Sequence, residues 1–372
     1  MNSTTPPRIA IVHDWMLLGG AEKVVEQLLD MYPEAPLYTS CISKPWAHKL
    51  RNRTVITGYL NNFLLQKIRK FVPFLRQRWF QNLDFSGYDI VISSSGAEAK
   101  GIKVPPGVLH INYCHAPTHY YWSRYNEYIK NPGFGVFNPL AKFGLKLLLK
   151  PMRAWDKQAA KRPHIMIANS SHIAAEIKKY YKRDAVVIHP PVDVERFIKK
   201  TKQPRHGLIV AGRQTPYKRF DLCIATANIL QLPLTVLGNG PDHARLVSIA
   251  GPSVSFKTDV SDADMVQAFQ TAAGLLFAGL DDFGITPVEA MAAGCPVIAY
   301  RAGGALDYVI DGETGVFFDK QVPQSVVTAI KRFEQIQFNE KTVVKKAVSF
   351  STKTFKVHIR ELIDKEFANF QT

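Results

Sequence analysis

The sequence predicts an α/β protein built from two Rossmann-like domains, and three observations carry that expectation. Apolar runs of buried-strand type, Ile9 to Trp15 (IAIVHDW) and Leu208 to Ala211 (LIVA), each pass into a glycine-bearing turn and then into further strand and helix patterns. At 372 residues the chain is long for one core and suits two domains of ordinary size. Pro190-Pro191 would stiffen a crossing between the two series, which puts domains at 1–188 and 189–350 and a last helical segment at 351–372.

In the first series, Gly19-Gly20 leads into AEKVVEQLLDMY, whose Val24, Val25, Leu28 and Leu29 share one helix face. The turn reads GGAE and not G-x-G-x-x-G, so the dinucleotide fingerprint is absent. A tight strand-to-helix turn that needs glycine is the lesser alternative. Tyr88 to Ser94, Val108 to Tyr113 and His164 to Asn169 read as further strands, and Ser170-Ser171 as the cap of the helix HIAAEIKKYY. His115 follows the second of these runs, and a lone histidine is more often structural than functional.

The net charge of +16 is uneven: residues 1–185 hold 26 Lys+Arg against 12 Asp+Glu, and the rest 21 against 19. The basic half calls for an acidic partner, whether a membrane surface, a lipid pyrophosphate or nucleic acid. Tyr59 to Phe80 carries five Lys/Arg, no acid and many Leu and Phe, and has the character of a helix lying in a membrane interface. A core-facing stripe, interrupted at Pro73, is the alternative. Phe134 to Trp155 is a second basic apolar stretch, expected to be broken by Pro139 and Pro151 and too short between them to span a bilayer. No run of 18 apolar residues occurs and Met1 to Arg8 lacks a signal-peptide core, so the expectation is a cytoplasmic protein at the inner face of the membrane. Cys41, Cys114, Cys223 and Cys295 lie far apart, which suggests neither a disulfide framework nor a zinc site.

In the second series, Gly212-Arg213-Gln214-Thr215-Pro216-Tyr217-Lys218 sets two cations after a strand, and Gly238-Asn239-Gly240-Pro241 is a turn where backbone can approach a nucleotide. Asp262 and Asp264 form a D-x-D, better explained by Ser261 as N-cap with acids in the first helical turn. The run Ala272 to Phe277 stops at Leu280-Asp281-Asp282-Phe283-Gly284. Thr286-Pro287-Val288-Glu289 then has the form of a capping box, which starts a helix at Thr286, and Gly294-Cys295-Pro296 ends it before the strand Val297 to Tyr300. In such a βαβ unit ligands sit at the carboxyl ends of the strands. The amides of Phe283, Gly284 and Ile285 would face an anion there, and Asp281 and Glu289 would offer acceptors to hydroxyls. Amides for phosphate and carboxylates for hydroxyls suit a nucleotide sugar, although the capping box alone could account for Glu289.

These segments resemble the retaining family 4 glycosyltransferases, whose GT-B fold has two Rossmann-like domains facing each other across a cleft. Asp281 and Glu289 fall on the family's E-x7-E motif, and DDFGITPVEAMAAGCPVIAYRAGGALDYVIDGETGVFF is similar to the GDP-mannose-using subgroup. Gly212 to Lys218 resembles G-R-x-x-P-x-K, and Tyr113 to Trp122 the subgroup's Y-C-H-T-P-x-R-Y-x-W. Five positions depart from the pattern: Asp281 for glutamate, Ala278 and Leu280 for the proline and glutamate just before it, Ala116 for threonine and His119 for arginine.

The resemblance implies that His115 contacts the transferred sugar, that Arg213 and Lys218 hold the donor diphosphate and stabilise the leaving nucleoside diphosphate, and that Asp281 takes part in the reaction. It puts Gly19, Gly20, Gly238, Phe283, Gly284, Ile285, Thr286 and Glu289 around the donor and the last helix back on the first domain. The expected activity is metal-independent, retaining transfer of a hexose, mannose from GDP-mannose, to a lipid-linked or glycan acceptor, with the nucleotide sugar as co-substrate and no other cofactor. A UDP-sugar donor, a nucleotide-sugar epimerase and a sugar phosphorylase remain compatible with the fold. A nucleic-acid binder would use the basic half but leaves Arg213, Lys218 and Glu289 unexplained.

Overall fold

Two separate parallel sheets form, because apolar runs joined by crossover helices are buried on both faces and can pair only in parallel. The computed structural model describes residues 6–17, 19–62, 73–130, 135, 138–198 and 204–372. The chain divides into two compact units, the first comprising 1–169, 173–188 and 356–372, the second 170–172 and 189–355.

In the first unit a seven-stranded sheet has the order β3-β2-β1-β4-β5-β6-β7. Its strands are β1 (Ile9–His13), β2 (Leu37–Thr39), β3 (Val55–Thr57), β4 (Ile90–Ser95), β5 (Leu109–Cys114), β6 (Ile165–Ala168) and β7 (Val186–Val187). Every residue of β1, β4 and β5 is buried, as central strands covered on both faces require. The helices are α1 (Ala21–Met31), α2 (Lys44–Lys49), α3 (Pro73–Gln81), α4 (Tyr125–Lys130), α5 (Asn138–Ala159) and α6 (Ser171–Tyr181). Val24, Val25, Leu28 and Leu29 are the buried apolar face of α1, as their spacing predicts.

The second unit repeats the plan with β10-β9-β8-β11-β12-β13, all parallel. These are β8 (His206–Ala211), β9 (Leu234–Leu237), β10 (Val254–Lys257), β11 (Ala272–Phe277), β12 (Val297–Tyr300) and β13 (Gly315–Phe318). Around them lie α7 (Phe220–Leu230), α8 (His243–Ser248), α9 (Asp262–Thr271), α10 (Ile285–Ala292), α11 (Ala305–Tyr308), α12 (Pro323–Glu334), α13 (Glu340–Val348) and α14 (Thr352–Gln371). One apolar cluster joins Ile209, Leu275, Val288, Met291 and Phe350, and another joins Val210, Leu276, Ile298, Ala227 and Ile330. Residues 356–372 of α14 group with the first unit, where Phe370 meets His164 edge-on with ring centroids 4.9 Å apart.

Strand order reverses between β1 and β4 in one sheet and between β8 and β11 in the other. Loops leaving the carboxyl ends of such a pair diverge and open a crevice, where ligands of doubly wound sheets bind.

Four sequence expectations are corrected. The helix α5 runs through Pro151 instead of breaking there; Leu147, whose carbonyl loses its partner to the proline, and Pro151 are both exposed, so water can serve that carbonyl. Pro139 is simply the second residue of the same helix. Within Tyr59 to Phe80, residues 63–72 lie outside the described residues, and α3 begins with Pro73 and is no headgroup-facing surface throughout. Its Arg76, Gln77 and Phe80 are buried, and Arg76 is held by Glu98 through Nε to Oε2 at 2.9 Å and Nη2 to Oε1 at 2.8 Å. The helix expected to start at Thr286 starts at Ile285, for reasons given below.

Candidate active site

In the second unit the two loops at the switch point are Gly212 to Arg219, after β8, and Ala278 to Gly284, after β11. Lys218 Nζ donates to Asp281 Oδ2 at 2.5 Å, with both side chains largely buried. Asp281 Oδ1 is buried with no hydrogen-bond partner. Arg213 is exposed and makes no ion pair among the described residues. The loops can approach this closely because residue 279 is glycine: a Cβ there would lie 2.9 Å from Lys218 Cα.

The Gly212 loop is sewn to the Gly238 turn. Gly212 and Gln214 donate their amides to Leu237 and Asn239 at 3.1 and 2.9 Å, and the fully buried Gln214 side chain donates to the Gly238 carbonyl at 2.7 Å and meets His243 Nδ1 at 2.8 Å. Gly238 sits against the Gly212 carbonyl with φ +102°. The backbone carrying Arg213 and Lys218 is therefore fixed from the side of β9.

The capping box expected at Thr286 does not form. Gly284, with φ +86°, is the N-cap of α10, no side chain caps that end, and Ile285 is the first helical residue. Pro287 thus takes the third helical position, where it has no amide to offer, and the open donors of this terminus are Ile285 and Thr286. The left-handed backbone at 284 and the Tyr308 hydroxyl, 2.8 Å from where a Cβ would stand, both require glycine. Phe283 is a core side chain, packed on Tyr308, Phe350 and His189 with centroids 5.5, 5.6 and 5.5 Å away, so only its backbone borders the turn. Glu289, released from capping, is half-buried on α10. Tyr308 is fully buried with an unpartnered hydroxyl; burial, then the nearby Asp281 and Asp307 carboxylates, push its phenol well above the usual range.

Behind this turn, Ser170 Oγ donates to the Asp282 carbonyl at 2.5 Å and the Ser171 amide to Asp307 Oδ2 at 2.9 Å, so the start of α6 braces the loop. The D-x-D is structural: Ser261 and Asp264 form a complete capping box for α9, and Asp262 pairs with Arg196 at 2.7 Å.

In the first unit the carboxyl ends of β1, β4 and β5 bring two histidines to one serine. His13 Nδ1 donates to the Ser94 carbonyl at 2.7 Å, and the Ser94 hydroxyl meets His115 Nε2 at 2.7 Å. The rings of His13 and His115 lie edge-on, 6.2 Å apart, and Asn169 Nδ2 donates to the His115 carbonyl at 2.9 Å. Asp14 pins the loop after β4 through the amides of Gly96, Ala97 and Ala99 at 2.8, 2.9 and 2.7 Å. Gly20 is the N-cap of α1, and a Cβ at Gly19 would lie 3.0 Å from Glu22 Oε2. Glu22 is buried beneath this turn and accepts the Leu17 amide at 3.1 Å, so Gly19 leaves room for a carboxylate rather than supplying an unusual φ.

Sequence reasoning missed Asp14, Ser94, Gln214 and Tyr308, whose partners are distant in sequence. It also missed a buried polar group in which Lys100 donates to Thr118 Oγ1 at 3.1 Å and pairs with Asp156 at 2.7 Å, while Trp122 and Tyr181 donate to Asp156 Oδ2 at 2.6 and 2.7 Å. Trp122 was visible as part of the aromatic segment after His115; nothing local marked its acceptor.

Residues 191–351 match the family described as Glycosyl transferases group 1, and residues 18–196 match Glycosyltransferase Family 4. The D-inositol 3-phosphate glycosyltransferase of Streptomyces avermitilis is 27% identical over 203 residues, 45% of this chain and 44% of that protein. The chain thus spans less than half the length of the curated relatives it matches. The structure of Anabaena Alr3699/HepE in complex with UDP superposes with a TM-score of 0.69 at 16% identity, covering 96% of this chain and 100% of that one. The lipopolysaccharide outer core galactosyltransferase WaaB in its apo form gives 0.67 at 15%, covering 96% and 99%. The chain accordingly carries a Glycosyltransferase Family 4 domain followed by a Glycosyl transferases group 1 domain, and its fold is that of the GT-B glycosyltransferases.

Proposed function

We propose that this protein is a metal-independent, retaining glycosyltransferase that moves a hexose, mannose from GDP-mannose, to a lipid-linked or glycan acceptor. The observation that carries the reading is the meeting of Lys218 and Asp281, from the two loops of the β8/β11 switch point, with the exposed Arg213 on the first loop and the open amides of Ile285 and Thr286 at the helix start that follows the second. Cations and amides there suit a diphosphate, and Asp281 Oδ1 and Glu289 suit sugar and ribose hydroxyls. The nucleotide sugar is the only co-substrate, and the basic first unit, with His115 directed by Ser94, receives the acceptor at an anionic membrane surface.

In the reaction the bond from sugar C1 to the phosphate oxygen breaks while the acceptor oxygen bonds C1 on the same face. The acceptor proton passes to the departing phosphate. Arg213 and Lys218 offset the charge that builds on that phosphate, a task in which one fixed donor is worth about 3–4 kcal/mol. Substituting Arg213 by alanine, at an exposed position, should lower kcat/KM about 10²-fold or more with unfolding unchanged; near-normal turnover by the folded variant would sink the assignment.

The donor rests on the likeness of residues 281–318 to the GDP-mannose-using subgroup. A UDP-sugar is the second reading, favoured by the superposition on a protein solved with UDP and with UDP-glucose. Calorimetric titration with GDP, UDP and ADP, each without added metal, separates the two.

A further inference from the structure

We propose that the exposed face of α5 is a docking surface for an anionic lipid bilayer. It is a property of the first unit that would hold whichever nucleotide the second unit binds.

Leu140, Phe143 and Leu147 are 66%, 65% and 66% exposed. Their spacing of three and four residues puts them in one row, which Pro151 and Ala154, also exposed, continue for another turn. Buried residues of the same helix, Met152, Asp156 and Ala159, lie on the opposite side. Soluble surfaces carry single exposed apolar side chains routinely, but a continuous row of large ones marks a surface that is covered in use.

Charge decides what covers it. Lys146, Lys150 and Lys157 are exposed along one flank of the row. The sole acid of the helix, Asp156, is fully buried and paired with Lys100, so the exposed face presents cations without a single compensating carboxylate. A second copy of the helix laid on this face would bring lysines against lysines, whereas anionic headgroups meet them with opposite charge while acyl chains receive Leu140, Phe143 and Leu147. No helix among the described residues is long and apolar enough to cross a bilayer, and the lysine flank keeps α5 in the plane of the interface.

The test is flotation of the full chain with vesicles of mixed phosphatidylglycerol and phosphatidylcholine, against vesicles of phosphatidylcholine alone, at low and high salt. The expected result is partition to the anionic vesicles that weakens with salt, falls about fivefold for each of Lys146→Gln and Lys150→Gln, and is lost in a Phe143→Ser/Leu147→Ser variant of unchanged circular dichroism. Equal partition of that variant and the wild type would overturn the proposal, as would absence of binding to anionic vesicles at low salt. Sedimentation of the same proteins covers the competing occupant: a dimer abolished by the double substitution, without vesicle binding by the wild type, would assign the face to a second copy. Nucleotide titration of the double variant reports on the second unit separately, so failure here and failure of the donor reading are distinguishable.

Discussion

Substituting Asp281 by asparagine should tighten the binding of a bare nucleoside diphosphate while slowing transfer. In the free protein the Lys218 ammonium is neutralised by Asp281 at 2.5 Å, with side chains 15% and 12% exposed. A diphosphate arriving at Lys218 therefore meets a compensated cation and a carboxylate just behind it. A carboxylate about 6 Å from a phosphate charge opposes it by about 3 kcal/mol at an effective dielectric of about 20, and ordinary salt trims this to about 1–2 kcal/mol. Asparagine keeps the shape and removes that charge, so GDP or UDP should bind about five- to thirtyfold more tightly. Transfer should fall about ten- to a hundredfold, because the unpartnered Oδ1 loses its charge as an acceptor for a sugar hydroxyl. Calorimetry with the nucleoside diphosphate and steady-state turnover with the nucleotide sugar read the two effects independently. Asp281→Glu, which restores the charge, should return nucleotide affinity to the wild-type value. A folded Asp281→Asn protein that binds the nucleotide no more tightly than wild type would refute the reasoning.

Other expectations follow from the same structure. Gly284→Ala forces a left-handed alanine against the Tyr308 hydroxyl and should lower stability by about 1–2 kcal/mol from the backbone alone; adding Tyr308→Phe should recover part of any further loss in denaturant titrations. Arg76→Ala leaves Glu98 buried and unpaired and should destabilise by about 3–5 kcal/mol, whereas Arg76→Met with Glu98→Gln should lose clearly less. His110 is fully buried, and burial, with His164, Arg183 and Arg162 nearby, brings its pKa down to about 3. The unfolded chain binds this proton near pH 6.5 and the folded one does not, so the contribution is complete above pH 6.5 and is lost on acidification, at about 1.4 kcal/mol per pH unit until about pH 3. Urea midpoints from pH 7 to pH 5 should fall less steeply in a His110→Gln variant, and an identical slope would count against this origin.

The central strands were readable because a parallel strand covered on both faces must be apolar throughout. Ala272 to Phe277 and Val297 to Tyr300 are correct to the residue. Three-residue strands such as Leu37–Thr39 and Val55–Thr57 lack the length for any periodicity to show. The Ser261 cap was legible because all its parts are local. Thr286-Pro287-Val288-Glu289 carries the same letters, but Gly284 can enter the left-handed region and start α10 earlier, and the third helical position tolerates a proline as well as the first. The site was legible only in pieces: Lys218 and Asp281 each stood in a recognisable motif, but nothing in the chain between these residues, 63 positions apart, announced their ion pair. Nothing local marked Gln214 or Arg76 for burial; only tertiary structure buries them.

The first unit is completed by residues 356–372, which are separated from Ile188 by the 167 residues of 189–355. During synthesis at about 5–20 residues per second, its sheet therefore waits on the order of ten to thirty seconds for its closing segment. In that interval the places later met by α14, His164 at one end and Asp30 at the other, stand open to water and to chaperones. The second unit is made as nearly one uninterrupted stretch and can fold before the first has its closing segment. A stop codon just before Lys356 would spare that unit while denying the earlier one its final piece, so damage from truncation would surface at the opposite end of the gene product.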